Sequence, residues 1–340
     1  ANSVTAKNGI IAVAVEAVDK TNPGKVVFYD TNGTYLKDVQ VGSLPDMLTF
    51  TPDGSKVLVA NEGEPGIVDP DGSVSIIDLS GGVNNLTQAN VTTASFASFN
   101  GLEAQLRADG VRIFSGKTAA QDLEPEYIAV SPDGQKAYVT LQENNTVAVI
   151  DIATATVTAL QPLGLKDHSL VGNGLDASDR DNAININTWP VFGMYMPDAI
   201  ATFSANGQTY YVTANEGDDR GENRSVRNLT LDPTAFPDAS TLRLDQNLGR
   251  LSVSSIDGDT DGDGDYDKLY AYGTRSFSVW DSQGNLVYDS GDDFEQITAQ
   301  QFAANFNASN DNNSFDNRSD NKGPEPEGIV VGQVDGRTYS

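Results

Sequence analysis

Short apolar runs alternate with Gly-, Asn- and Asp-containing turns along the whole chain. Val-Leu-Val-Ala at 57–60 follows the turn Thr-Pro-Asp-Gly at 51–54, and Ala-Tyr-Val-Thr-Leu at 137–141 follows a similar turn. Apolar runs of about 4–8 residues bounded by such turns predict β-strands joined as hairpins. Helical periodicity is scarce, and we expect short helices only within 90–106 and 294–306. The pattern therefore predicts an all-β protein.

These strands belong to an internal repeat. Each of its four copies begins with Pro-Asp or Pro-Glu before an apolar run, and three continue through a turn into a strand that ends at an acid. The prolines are Pro45, Pro125, Pro197 and Pro326, and the closing acids are Glu62, Glu143 and Glu216. A repeated unit of strand, turn and strand predicts the blades of a β-propeller. We therefore predict one domain over residues 1–340, a propeller of about five to seven four-stranded blades that is incomplete at both ends.

Four insertions rich in Asn, Asp, Ser and Gly interrupt the repeat, at residues 81–122, 165–195, 218–248 and 290–323. Loops this long in a compact domain are usually functional or contact a partner. In a propeller we expect them near the mouth of the central channel. The Asn-rich tract at 305–321 is equally consistent with a mobile segment that has no role.

Equivalent positions in successive blades face one axis, so repeated acids predict a ring of carboxylates that lines the central channel. We call these residues the axial acids: Asp46, Glu62, Glu126, Glu143, Asp198, Glu216, Glu325 and Glu327. Buried carboxylates in such numbers need metal ions, cationic side chains or protons as compensation. The candidate cationic side chains are Arg220, Arg275, Arg318 and Lys322. Two interpretations remain open: a metal centre that binds phosphate-like oxyanions, or hydrogen bonds from backbone N–H groups of the next blade to each acid.

A second acidic motif, at residues 257–267, places six aspartates within eleven residues, and we call it the aspartate loop. Its acids are Asp257, Asp259, Asp261, Asp263, Asp265 and Asp267. Calcium prefers six to eight oxygen ligands, and alternating acids with Gly at the sixth position wrap a chain around such an ion. The pattern fits from Asp257 or from Asp259, but neither start puts Glu at position 12, which excludes an EF-hand. We predict a structural calcium site between β-strands, and the alternative is a solvated acidic hairpin.

The amino-acid composition limits the classes of partner and of chemistry that the chain can have. A net charge of −27 excludes nucleic acid, because the chain has no basic footprint for phosphates. The same charge favours cations, although it also serves solubility alone. The absence of Cys excludes thiolate catalysis, and the single His, His168, lies in a polar loop where we expect it to be solvated. No apolar run approaches the roughly 18 residues of a membrane span.

Several phrases are more specific than the repeat itself. They are Leu-Pro-Asp-Met-Leu-Thr-Phe-Thr-Pro-Asp-Gly (44–54), Val-Ala-Asn-Glu-Gly-Glu-Pro (59–65), Tyr-Val-Thr-Leu-Gln-Glu-Asn-Asn (138–145), Gly-Leu-Asp-Ala-Ser-Asp-Arg-Asp (174–181) and Lys-Gly-Pro-Glu-Pro-Glu-Gly (322–328). Together they resemble the choice-of-anchor I family of exported bacterial β-propellers, which includes cell-surface glycoproteins and members labelled alkaline phosphatase-like. The resemblance implies an extracellular, periplasmic or cell-surface location. Family members usually start earlier and continue further, and the loop after Pro65 looks shorter here.

Two functional hypotheses follow. The first is an exported calcium-binding module whose acidic channel also binds further divalent cations, with extracellular surface components as partners. The alternative is a metal-dependent phosphatase or phosphoesterase that acts on phosphate esters at the channel mouth with a second divalent or trivalent metal. In that hypothesis Glu62, Glu143 and Glu216 hold the ions, and Arg220 or Arg275 stabilises the developing charge.

Overall fold

The computed structural model describes all 340 residues, and four-stranded antiparallel sheets dominate it. The first sheet contains β1 (Ser3–Lys7), β2 (Ile10–Val15), β3 (Pro23–Asp30) and β4 (Tyr35–Ser43). The second contains β5 (Pro45–Phe50), β6 (Lys56–Asn61), β7 (Ser73–Asp78) and β8 (Val91–Ser95). The third contains β9 (Ile128–Val130), β10 (Lys136–Leu141), β11 (Thr146–Asp151) and β12 (Thr156–Pro162). In each sheet, strands that are adjacent in sequence are also neighbours in space.

Between the second and third strands of the fourth sheet, the chain contains an insertion that forms part of a separate sheet. After β13 (Leu165–Asp167) and β14 (Phe192–Met194), the chain forms β15 (Ala199–Ala205) and β16 (Gln208–Asn215), the first two strands of the fourth blade. It then leaves to form β17 (Asn223–Ser225), β18 (Ser252–Ser254) and β19 (Tyr270–Tyr272), and returns as β20 (Ser276–Asp281) and β21 (Leu286–Asp289). Strands β13, β14 and β17–β19 make a separate five-stranded sheet, and a hairpin of β22 (Gly332–Val334) and β23 (Arg337–Tyr339) follows.

The four complete sheets are arranged as the blades of a propeller. Their first strands contact one another in succession, β1 with β5, β5 with β9 and β9 with β15, while the later strands lie further from the axis. This radial arrangement of up-and-down sheets confirms the predicted all-β propeller. The chain contains four complete blades and the C-terminal hairpin, against the predicted five to seven. One reason is that residues 218–275 form the inserted sheet and not a further blade.

Apolar side chains between neighbouring blades form the core. Leu58 and Ile76 of the second blade pack with Val139 and Ile150 of the third. Between the third and fourth blades the core is aromatic, and Trp280 lies edge-on to Tyr195 with ring centroids 5.1 Å apart. Alternate residues of each strand thus face the interblade space on either side, as the apolar runs predict.

The helices are short and lie in the insertions: α1 (Glu103–Ala108), α2 (Ala119–Asp122), α3 (Ala239–Leu242) and α4 (Asp293–Gln301). The helix expected within 294–306 is confirmed as α4, with a 3-10 turn at Ala303–Asn305. The helix expected within 90–106 is wrong over its first part, because Val91–Ser95 is β8 and pairs with β7. Its Val-Thr-Thr sequence is β-branched, which favours that outer strand.

Candidate functional site

The two axial acids of a blade lie at the same end of that blade, because its first two strands are antiparallel. Asp46 lies at the start of β5 and Glu62 directly after β6, and these strands are antiparallel with Pro45 opposite Asn61. The start of the first strand and the end of the second therefore lie at the same rim of the channel. The same relation holds in the fourth blade, where Asp198 precedes β15 and Glu216 follows β16.

The structure brings six of the eight axial acids into one electrostatically coupled group. Burial, together with the nearby charges of Glu143, Glu64, Glu124 and Asp46, raises the pKa of Glu62 to about 8. Burial also raises the pKa of Asp198 to about 7, with Glu216 adding to the effect. Glu126 is raised well above its ordinary pKa by burial, then by Glu143, Glu62 and Asp198. These acids therefore favour their neutral forms unless a cation compensates them.

Of the last two axial acids, one is paired with a cation and the other is exposed. Glu325 pairs with Arg318, so neither is available to the channel. Glu327 is exposed, although its charge reaches Asp198. Arg275 does not pair with the axial acids, because its guanidinium donates to Glu295 and to the carbonyl oxygens of three other residues of the insertions.

Arg220 is the main cation at the rim. Its Nη1 lies 3.0 Å from Asp122 Oδ1, and its Nη2 lies 2.9 Å from Glu124 Oε2 and 3.5 Å from Glu143 Oε2. Asp122 and Glu124 are fully or almost fully buried, and neither was predicted as a site residue from the sequence. The position of Glu124 directly before Pro125 of the repeat could have indicated its place at the rim. No feature of the sequence indicated Asp122.

Two other cations connect the rim to its surroundings. Lys322 Nζ lies 3.1 Å from Glu216 Oε1, and Gln142 donates to the other oxygen of Glu216 at 3.1 Å. Arg112, which sequence reasoning missed, donates to the backbone oxygen of Glu143 at 3.1 Å. Arg112 also bonds Glu222 at 2.6 Å and Asp257 at 2.9 Å. It therefore ties the rim of the channel to the first residue of the aspartate loop.

Polar atoms at the rim remain without hydrogen-bond partners. Glu124 Oε1, Glu126 Oε2, Asn144 Oδ1 and Arg220 Nε are all buried and unpaired. Buried polar atoms are normally satisfied by protein, water or an ion, so unpaired ones mark places where a further ligand fits. The rim is therefore polar, crowded with carboxyl groups and incompletely satisfied by the protein itself.

Asparagines directly before two of the closing acids make structural hydrogen bonds; Asn61, for example, accepts the backbone N–H of Gly42 in the first blade at 3.1 Å. Asn61 Nδ2 donates to Ser73 Oγ at 3.3 Å and to Ser75 Oγ at 2.9 Å, across to β7. Asn215 makes the equivalent bonds to two serines of β20 in the fourth blade. The acid that follows Asn61, Glu62, forms no ion pair, whereas Glu216 after Asn215 bonds Lys322 and Gln142.

The aspartate loop lies on the surface next to the inserted sheet. Carboxylate oxygens of Asp259, Asp261 and Asp267 lie within 4.8 Å of one another, and so do those of Asp232, Asp265 and Asp267. Asp232 comes from the 218–248 insertion and was not predicted. The axial acids are spread too widely to form such a triplet.

The other aspartates of the loop differ in their partners. Asp257 is engaged by Arg112 and by Ser254, so the motif that starts at Asp259 is the one whose acids are free to converge. Asp263 accepts a hydrogen bond from the backbone N–H of Asp265 and belongs to neither triplet. Gly262 and Gly264 have φ of 80° and 100°, which lets the loop fold back on itself.

His168 is not solvated, contrary to expectation. It is 1% exposed, its Nδ1 lies 2.6 Å from the backbone oxygen of Asn173, and burial lowers its pKa to about 3. The inserted strands β13 and β14 fold over it, which its polar sequence neighbours did not indicate. It packs far from solvent as a neutral side chain.

The fold and the site define a β-propeller with an acidic channel rim and an aspartate-rich surface loop. The chain belongs to the choice-of-anchor I domain family, whose model matches residues 1–340. None of its helices is both long and apolar enough to cross a membrane.

Two curated relatives are animal proteins. The mesenchyme-specific cell surface glycoprotein of Strongylocentrotus purpuratus is 30% identical over 260 residues, which cover 65% of this chain and 33% of that protein. Gigasin-3a of Magallana gigas is 42% identical over 97 residues, which cover 27% of this chain and 34% of that protein. The matches thus span about a third of the length of each relative.

Similarities to solved structures are distant. Hydrazine synthase of Kuenenia stuttgartiensis matches with a TM-score of 0.34 and 15% identity, over 63% of this chain and 54% of that one. A chain of a nidogen/laminin complex matches with a TM-score of 0.27 and 14% identity, over 45% of this chain and 43% of that one. At these scores the assignment of the fold rests on the strand topology of the chain itself.

Proposed function

We propose that this chain is an extracellular, periplasmic or cell-surface β-propeller module that binds calcium in its aspartate loop. Membership of the choice-of-anchor I family and a relative named as a cell surface glycoprotein support the location. The observation that carries calcium binding is the convergence of Asp259, Asp261 and Asp267, with their oxygens within 4.8 Å of one another.

The chemistry of the loop suits calcium better than other common ions. All its side-chain ligands are carboxylates, which are hard oxygen donors, and the chain has no Cys and a single buried His for softer metals. Asp267 belongs to both triplets, so one carboxylate serves either side of the loop. An ion here offsets the repulsion among acids that have no cationic partner.

The channel rim is proposed as a second cation site. Its buried carboxyl groups outnumber the facing cations Arg220 and Lys322, and Glu124 and Glu126 each keep an unpaired oxygen. A divalent or trivalent ion would supply the missing positive charge and restore the ionised forms of acids such as Glu62. Extracellular surface components are the partners that a module of this kind would hold.

A metal-dependent phosphoesterase is the second candidate. The observation that favours it is that Glu62, Glu143 and Glu216 lie at one rim with Arg220 and Lys322 beside two of them. Ions held there would polarise a phosphate ester and generate a hydroxide, and Arg220 would stabilise charge on the phosphoryl oxygens. Arg275 has no place in this arrangement because it is buried against Glu295.

Calcium titration of the purified, chelated protein tests the loop. We expect Asp261→Asn to lose at least one calcium equivalent and most of the calcium-induced rise in melting temperature. Asp311→Asn, which removes an exposed acid outside the loop, should change neither. An unchanged calcium response in Asp261→Asn would contradict the loop assignment.

Metal analysis by mass spectrometry, together with hydrolysis of a phosphate ester before and after chelation, separates the two functions. Calcium alone without turnover supports the binding module. A second metal with chelator-sensitive turnover that Glu143→Gln abolishes, without loss of melting temperature, supports the phosphoesterase.

A further inference from the structure

An open cavity lies between the end of α4, the Asn-rich tract and the segment that carries Glu325 and Glu327. Its volume is about 640 Å³, within the range of about 300–1,000 Å³ that is usual for small-molecule sites. Few apolar side chains line it, and its wall consists mainly of amide, hydroxyl and charged groups. The cavity therefore suits a polar ligand of small to moderate size.

The wall of the cavity is held in place by hydrogen bonds within and around the Asn-rich tract. The backbone N–H of Arg318 donates to the carbonyl oxygen of Asn307 at 2.8 Å, and Asn307 Nδ2 donates to Ser319 Oγ at 2.9 Å. Arg275, which is buried, donates to Ser319 O at 2.8 Å. Gly323 lines the cavity and packs on the same guanidinium so closely that an added Cβ would lie 2.6 Å from Arg275 Nη1. A ligand would thus meet a preformed wall, which lowers the entropic cost of binding.

Two polar groups of this wall have no hydrogen-bond partner in the protein. Asn307 is 6% exposed, and its Oδ1 accepts no hydrogen bond although its Nδ2 is used. The buried Oγ of Ser309 also has no partner. Buried polar atoms are normally satisfied by protein, water or a ligand. These two groups can pair with a ligand that both donates and accepts hydrogen bonds.

Phe302 adds an apolar surface to the same cavity. It lies directly after α4 and is 63% exposed, although Phe is among the residue types most often buried. Asn305 and Asn310, which are also exposed, supply amide groups that donate and accept hydrogen bonds. A sugar ring combines the matching features, because its CH groups form an apolar face and its hydroxyl groups both donate and accept.

The charges of the wall argue against an anionic ligand and against a bare cation. Arg318 is the one cation of the wall, and it pairs with Glu325. Asp311 and Glu327 therefore leave an excess of negative charge, which repels phosphate, sulfate and carboxylate groups. The carboxylates of the cavity do not converge into a triplet as those of the aspartate loop do. A neutral ligand with many hydroxyl groups is the class that fits.

We propose that this cavity binds a neutral carbohydrate, such as the end of an extracellular glycan. Its hydroxyl groups would pair with Asn305, Asn307 and Asn310, and one face of a sugar ring would pack against Phe302. The proposal names a class of extracellular surface component, so its biological role rests on the location proposed above. The binding itself depends neither on calcium in the aspartate loop nor on an ion at the channel rim.

An array of immobilised oligosaccharides, divided into neutral, sialylated and sulfated sets, tests the class of ligand. The full chain is applied in chelator and again with calcium. We expect it to bind members of the neutral set equally well in both buffers. Binding to the sialylated or sulfated sets alone, a requirement for calcium, or no binding to any neutral oligosaccharide would overturn the proposal. Calcium titration of the same preparation reports on the aspartate loop separately, so failure of one proposal is distinguished from failure of the other.

Matched substitutions test whether binding occurs in this cavity. For the neutral oligosaccharide that binds most tightly, we expect Phe302→Ala and Asn310→Ala each to weaken binding about tenfold or more in calorimetry. Both side chains are exposed, so the melting temperature should not change. Phe315→Ala is the control, since Phe315 is 40% exposed and belongs to the Asn-rich tract but does not line the cavity. The parent affinity in Phe302→Ala, or the same loss in Phe315→Ala, would contradict the assignment of the site.

Discussion

Replacement of Glu62 by Gln gives the sharpest test of the charge state of the channel rim. The Glu62 side chain forms no ion pair, and the group lies among Glu143, Glu124 and Asp46, so burial and like charges act on it together. Gln has almost the same shape but does not ionise. The substitution therefore removes the cost of ionising this position and leaves its packing in place.

The size of the effect follows from the pKa. The unfolded chain releases the Glu62 proton near the ordinary value of 4.5, whereas the folded chain keeps it until about pH 8. Between these values the folded state binds more protons, so the free energy of unfolding falls as the pH rises. At about 1.36 kcal/mol per pKa unit the upper limit is about 5 kcal/mol, and relaxation around the rim reduces this to about 2–4 kcal/mol.

Urea denaturation of the chelated protein between about pH 5 and pH 8.5 measures this difference. We expect the parent chain to lose stability over that range and Glu62→Gln to lose less, so that the variant is the more stable protein at the upper end. Asp311→Asn is the control, since it removes an exposed acid that does not act on Glu62. A flat pH profile in the parent chain, or a Glu62→Gln variant that is less stable at pH 8.5, would refute the argument.

Three further outcomes are expected. Arg220→Met should lower the free energy of unfolding at neutral pH by about 3–5 kcal/mol in urea, because it leaves buried Asp122 and Glu124 without their cation, and Arg220→Lys should lower it less. Asn61→Ala should cost about 1–3 kcal/mol in the same assay, since two serine hydroxyls lose their donor; no loss would argue against a structural role for Asn61. The His168 imidazole resonance should not titrate by NMR between pH 5 and 8, because the pKa of His168 in the folded chain is about 3. Protonation of His168 in the unfolded chain lowers the free energy of unfolding only as the pH falls below about 6.5. A titration midpoint near 6.5 would mean that the side chain is solvated.

The fold could be predicted from the repeat, because the hydrogen bonds that form its turns join residues close together in the sequence. Turns such as Thr51-Pro52-Asp53-Gly54 close on themselves: Asp53 accepts a bond from Thr51 Oγ1 at 2.6 Å and from Ser55 N at 3.0 Å. The position of each acid relative to its strand follows from this local pattern too. The rim could therefore be predicted from Pro45, Glu62 and their counterparts, without knowledge of how the blades pack.

The partners of the rim could not be predicted, because they come from distant parts of the chain. Arg220 lies 98 residues from Asp122, and Arg112 lies 145 residues from Asp257. None of these residues belongs to the repeat, and insertions have no period that would align them. The burial of His168 could not be predicted for the same reason, because it depends on how the inserted strands β13 and β14 pack.

The acids and the cations of the channel rim come from different parts of the chain, and this division determines how the charge of the rim can change. The blades supply the axial acids, while the cations that face them, Arg220 and Lys322, both come from insertions. A change in an insertion therefore alters the charge of the channel without altering the propeller that holds it. Since two cations face a larger group of buried carboxyl groups, protons compensate the remaining negative charge at low pH, and an ion at the proposed rim site would compensate it at higher pH. Cation binding at the rim should thus strengthen as the pH rises, in step with the loss of stability of the metal-free protein.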